Sequence, residues 1–220
     1  MLLGFYVQMR LKSKFKAYGK IPIASGMSGA EVAQKMLHDF GITSVTIQSV
    51  PGKLTDHYNP ADKTVNLSPE VYNGRSVAAA AVAAHECGHA VQHATSYQWL
   101  QLRSQLVPIV NVSGKIINFI FLTMIFGMFI LNAFPLQTVL LTLIVAQAAI
   151  TAFTLITLPV EYDASNRALA WLKTAGVTGP MEQEKAQDAL KWAARTYLVA
   201  ALAAVIQLLY YVMMFLGARD

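Results

Sequence analysis

Three stretches of this chain are long, apolar and almost free of charge. Val107 to Phe134 carries Lys115 alone, while Leu136 to Leu158 and Tyr197 to Leu216 carry no charged residue. A bilayer core is about 30 Å thick, and a helix needs about 20 apolar residues to cross it. Inside lipid a spanning segment must satisfy its own backbone hydrogen bonds, which restricts single segments to helices. Each run is long enough to span. Only Asn132 to Pro135 separates the first two, so they are expected to form a tight antiparallel hairpin. Charged residues make up 13% of the chain, against about 25% in soluble domains. The chain is therefore read as a mainly α membrane protein whose partner is the lipid bilayer.

The polar remainder sets the topology. Ten Lys and Arg precede Val107, five lie in 159–196, the hairpin turn has none, and Arg219 stands alone in the tail. Basic residues favour the cytoplasmic side. That rule predicts a multi-pass protein of the cell (inner) membrane, with 10–106 and 159–196 both cytoplasmic. The expected organisation is an apolar N-terminal segment over 1–9, a small domain over 10–106, a helical hairpin over 107–158, a helical segment over 159–196 and a last span over 197–216. The 1–9 segment is too short to span; it is either part of a spanning helix or interfacial. Arg10, Lys12, Lys14, Lys16 and Lys20 follow it at once, a pattern that contacts anionic lipid. The net charge of +5 is not interleaved with aromatics as a nucleic-acid surface would be, so nucleic acid is excluded as a partner.

Within 10–106 the pattern is mixed. Ser28 to Glu31 has the form of a capping box before a helix over 30–40, ended by Gly41. Residues 43–50, 53–58 and 63–68 read as three short strands, rich in β-branched residues and separated by Pro51-Gly52 and Asn59-Pro60 turns. They are expected to form a short β-meander. Pro69 opens a helical turn, and Ser76 caps a longer helix that runs to about Ser96.

That longer helix carries the chemistry. Its run of Ala and Val is interrupted by His85, Glu86, Cys87, Gly88 and His89. Residues four apart share a helix face, so both imidazoles can reach one metal ion. Glu86 follows the first of them and can reach a water there. This is the HExxH arrangement of a zinc metallopeptidase, with two His ligands and a Glu base. Burying such groups among alanines is costly unless something pairs with them. Zn2+ is thus the implied cofactor. Cys87 is the only cysteine; the helix turns it away from the His face, and it is read as packing.

A catalytic zinc normally takes three protein ligands. Topology returns 159–196 to the side of the motif helix, and Glu161 is the best candidate there, at the start of a helix expected after Pro159. His93 competes, since it lies four residues beyond His89. One further turn displaces it about 5.4 Å along the axis, too far for a straight helix with zinc–nitrogen bonds of about 2.0–2.1 Å. His93 is therefore assigned to support or packing.

The residues Asp56 to Pro60, Leu67-Ser68, Val77 to His93 and Leu158 to Ser165 together resemble the YugP-type family of neutral zinc metallopeptidases, membrane gluzincins, from about Asp56 to Leu202. The resemblance implies a zincin-like α+β domain, with His85, His89 and Glu161 as ligands and Glu86 as base. Related membrane gluzincins carry an Asp four residues after the ligand Glu to support a His ligand. This chain has Ser165 there, so Ser165 or Asn166 is expected in that role. Arg195, Tyr197 and His57 are candidate oxyanion partners, and the strand over 64–68 is a candidate for pairing with an extended substrate. The function expected is a membrane-embedded zinc metalloendopeptidase acting on a peptide or membrane-protein substrate. The alternative is a non-enzymatic membrane protein with a structural or vestigial zinc site, closed by His93, His57 or Cys87. Oligomeric state is left open.

Overall fold

The computed structural model describes residues 2–126 and 134–218. The chain is mostly helical, with seven helices and one three-stranded sheet among the described residues. In order these are α1 (Leu2–Tyr18), α2 (Gly29–Asp39), β1 (Thr46–Ser49), β2 (His57–Asn59), β3 (Thr64–Leu67), α3 (Pro69–Tyr72), α4 (Val77–Ala94), α5 (Gln98–Phe126), α6 (Leu136–Thr174) and α7 (Pro180–Gly217). Two compact units divide them: Met1–Leu100 with Pro159–Thr196, and Gln101–Leu158 with Tyr197–Asp220.

The first unit is built around α4. Ser76 caps its first turn, the hydroxyl accepting from the Ala79 N–H at 3.2 Å. Its residues 77–84 and 86–92 are all buried. A helix apolar on every side belongs in a core, and alanine keeps this one thin enough for neighbours to close around it. Val32, Ala33, Met36 and Leu37 of α2 pack there, with Val65 and Leu67 of β3 and Leu172 from the end of α6. The capping box of α2 forms as its sequence suggests: Ser28 Oγ accepts from Glu31 N–H, and Glu31 Oε2 accepts from Ser28 N–H. Gly41, with φ +67°, lets the chain turn away from the helix end as few other residues can.

The sheet is not a meander. Its order is β1-β3-β2, with β1 parallel to β3 and β2 antiparallel to it. After β1 the chain reverses through Gly52 and Leu54, both at positive φ, and β2 returns on the far side of β3. Asp56 fixes that path by accepting from the N–H and hydroxyl of Ser68 at 2.7 and 3.0 Å. Every residue of β3 is buried, which suits the middle position. Because both edges of β3 are already paired, it has no free edge for an extended substrate; only β1 and β2 have one.

Three helices are long and apolar enough to cross a membrane: α5 over Gln98–Thr123, α6 and α7. Helix α5 begins nine residues before Val107, because 98–106 contains no helix breaker, and it carries Pro108 within it. The expected hairpin turn falls partly on 132–133, outside the described residues. No new helix starts after Pro159; α6 runs unbroken through it. Proline gives up one N–H bond in a helix interior, here the one that would reach the Leu155 carbonyl. In the second unit, Thr151 Oγ and Gln147 Nε2 of α6 both donate to the Ala204 carbonyl of α7, at 3.1 and 3.3 Å.

Candidate metal centre

His85 and His89 project from adjacent turns of α4, their rings 4.8 Å apart and nearly perpendicular. Helix α6 crosses beside them and presents Glu161. Its Oε2 lies 3.3 Å from His85 Nε2 and 3.5 Å from His89 Nε2. One donor atom from each of the three lies within 4.8 Å of the others, and Glu161 is 2% exposed.

The donor set fits a zinc-like ion. Ligand atoms about 2.0–2.1 Å from a tetrahedral centre are separated by about 3.4 Å, and the two measured separations bracket that value. Two imidazoles and one carboxylate are also the donors of a catalytic zinc site with one position left for water.

The approach of α6 to α4 depends on Gly88. A Cβ there would lie 2.6 Å from the Ala164 carbonyl oxygen and 3.1 Å from the Ala164 carbonyl carbon and Cα. Any larger residue would hold the two backbones apart, and Glu161 sits one helical turn from that contact.

Each imidazole is oriented through its other nitrogen. Ser165 Oγ is 3.1 Å from His85 Nδ1, and Gln92 Oε1 is 3.0 Å from His89 Nδ1. Gln92 is fully buried. Its amide donates to the Val160 carbonyl and to Asp163 Oδ2, both at 2.8 Å, and Asp163 also accepts from Arg167 Nε at 2.6 Å. Gln92 thus ties His89 to the turn of α6 that bears Glu161. Sequence reasoning overlooked it. The available signal was a lone amide three residues after His89, on the same face of an otherwise apolar helix. Asp163 reaches the site indirectly, through Gln92.

Glu86 is buried beside the cluster. Burial pushes its carboxyl up from the ordinary range, further than the two histidines pull it down. For His89, burial opposes the charged form, but the neighbouring Glu161 carboxylate outweighs it and the imidazole is raised. Cys87 is fully buried with its thiol toward the Ala33 carbonyl, and burial pushes the thiol up. It offers neither a nucleophile nor a ligand.

Most of the other candidate residues make their described contacts elsewhere. His93 is exposed and bonds Tyr58 Oη through Nδ1 at 2.8 Å. His57 is exposed, with Nδ1 2.7 Å from the Thr55 carbonyl. Asn166 is exposed on α6. Arg195 stacks on the Trp192 ring at 4.2 Å, and Tyr197 belongs to the second unit. The described contacts of His93, His57 and Arg195 are thus with groups other than the three donors.

The chain is similar to known proteins along nearly its whole length. The family model described as "Putative neutral zinc metallopeptidase" matches residues 1–216. The chain is 41% identical over 218 residues to the "Putative membrane protease YugP" of Bacillus subtilis (strain 168), covering 99% of this chain and 94% of that protein. No solved structure matches the chain.

Proposed function

The chain belongs to the family described as putative neutral zinc metallopeptidases, and from that premise we propose that it is a membrane-embedded zinc metalloendopeptidase. His85, His89 and Glu161 are its metal ligands and Glu86 is its general base. The carrying observation is the buried cluster of two imidazoles and one carboxylate with a second buried carboxylate beside it. Zinc, when bound there, supplies Lewis acidity toward a water molecule and a scissile carbonyl.

The protein's own groups do the rest. Ser165 and Gln92 hold the two imidazoles in one orientation, which keeps both Nε2 atoms turned to the metal. Glu86 takes a proton from the attacking water and passes it to the leaving amine. The low exposure of the cluster limits competing solvent and strengthens each electrostatic contact.

An extended peptide can add to the free edge of β2, which the Tyr58–His93 bond ties to α4. Main-chain pairing of that kind gives affinity with loose side-chain specificity. The three apolar helices support a multi-pass arrangement in the cell membrane, and the Lys and Arg distribution supports a cytoplasmic active site with peptide or membrane-protein substrates.

A structural zinc site would need a fourth protein ligand. Among the described residues the cluster has three members, and His93, His57 and Cys87 are engaged elsewhere. The test is the Glu86→Gln protein in membranes. It should keep its zinc and cleave no member of a broad peptide library that wild type cleaves. Full cleavage by that variant would remove Glu86 from the reaction.

A further inference from the structure

Trp192 of α7 is only 8% exposed, and two cations cover its ring. The guanidinium carbon of Arg10 lies 5.4 Å from the ring centroid and that of Arg195 lies 4.2 Å from it. Tyr6 meets the same ring edge-on at 6.2 Å. Two charges that share one ring are at most 9.6 Å apart, the sum of those two distances. Among the described residues neither arginine forms an ion pair. The nearby carboxylate, Asp188, is already bonded to Lys14 at 2.8 Å and Tyr18 at 2.7 Å. Arg195 feels that carboxylate only at longer range, and the single Asp188 charge, already shared with Lys14, does not neutralise the arginine pair.

We infer that Arg10, Trp192 and Arg195 form a binding site for the phosphodiester headgroup of an anionic phospholipid. Guanidinium forks match phosphate oxygens two at a time, and stacking on Trp192 holds both forks ready. The position along the helices selects a lipid over a free anion. On α1 the exposed side chains of Leu2, Leu3, Phe5, Tyr6 and Met9 end at Arg10. On α7 the uncharged run begins at Tyr197, two residues or about 3 Å beyond Arg195. Both helices thus change from apolar to basic at the same pair of arginines, with Trp and Tyr there as at a membrane interface. An acyl chain gains the exposed apolar face of α1, which inorganic phosphate cannot use. The inference rests on the membrane reading above and is independent of peptide hydrolysis.

The test is lipid retention by the full-length protein released from detergent, measured by native mass spectrometry with phosphatidylglycerol or phosphatidylcholine. Wild type should retain phosphatidylglycerol in preference. Each arginine near an anionic headgroup should contribute about fivefold, so Arg10→Gln with Arg195→Gln should weaken retention about thirtyfold. The Lys63→Gln, Lys173→Gln pair removes the same charge from exposed positions outside the basic 10–20 segment and should stay within twofold of wild type. Equal loss in the lysine pair, equal retention of phosphatidylcholine, or displacement of the lipid by millimolar inorganic phosphate would each overturn the site. If the glutamine pair unfolds, the Arg10→Lys, Arg195→Lys pair decides. It keeps the charge but loses the forks, and retention as tight as wild type would overturn the proposed contact. Recovery of the wild-type chain in the soluble fraction would instead overturn the membrane reading.

Discussion

Replacing Gly88 with alanine tests how the metal centre is assembled. The added Cβ would meet the Ala164 carbonyl oxygen at 2.6 Å, where 3.4 Å is the lower edge of ordinary contact. Relief of the overlap requires the backbones of α4 and α6 to separate by about 0.8 Å, because neither partner is a flexible side chain. Glu161 lies three residues before Ala164 on the same helix, so it moves with that contact. Metal–ligand distances tolerate only about 0.2 Å, and the required shift is about four times larger. Zinc affinity should therefore fall about 10- to 100-fold, the range found when ligand positioning is disturbed. The stability change should be smaller. Overpacking costs about 1–3 kcal/mol, and alanine recovers about 1 kcal/mol of helix propensity over glycine. Competition with a chromophoric zinc chelator measures the first quantity, and thermal unfolding of the metal-free protein measures the second. Gly114→Ala on α5 is the control, since its Cβ would meet nothing within 4 Å. A Gly88→Ala protein that binds zinc within twofold of wild type would refute the close-approach account.

Three other outcomes follow from the same geometry. Glu161→Ala should remove stoichiometric zinc, read by metal analysis of the purified protein, whereas unchanged zinc content would take Glu161 out of the ligand set. Gln92→Leu leaves the His89 imidazole and Asp163 without that amide; it should weaken zinc binding about 10- to 100-fold and cost about 1–3 kcal/mol in unfolding experiments. The carboxyl of Asp39 is held below its ordinary value by hydrogen bonds from Lys35 and from Trp171, burial opposing them only in part. A depressed carboxyl contributes stability above its unfolded pKa of about 3.9 and loses it as pH falls through the lower folded value. Asp39→Asn should thus lower the unfolding temperature at pH 6, and the difference from wild type should close below about pH 4; a difference that persists or grows in acid would contradict the sign.

What can be read from this sequence divides along the range of the interactions. The juxtaposition of His85 and His89 follows from 3.6 residues per turn and needs nothing outside α4. The three long apolar helices follow from composition summed over many residues. The capping box at Ser28 and the cap at Ser76 are also local, and both form. The sheet order is different. Alternation in three short strands does not specify which strand takes the middle, and the parallel pairing of β1 with β3 depends on a reversal through Gly52 and Leu54 and on Asp56 reaching Ser68. Nor does the pattern around Pro159 reveal that the helix continues, because the cost of a proline depends on what compensates the freed carbonyl.

Gln92 is the most informative of the residues that were overlooked. Its bond to His89 lies within α4, but the two bonds its amide donates, to Val160 and Asp163, exist only because α6 crosses α4 at Gly88. It reads the position of the Val160 carbonyl and sets the ring of His89, so it couples one imidazole to the residue preceding Glu161. Gly88 permits the approach and Gln92 registers it. The two helices consequently cannot slide past one another without disturbing both kinds of ligand at once, which is why two residues that donate nothing to a metal should weigh on zinc affinity nearly as heavily as an outright change of ligand orientation.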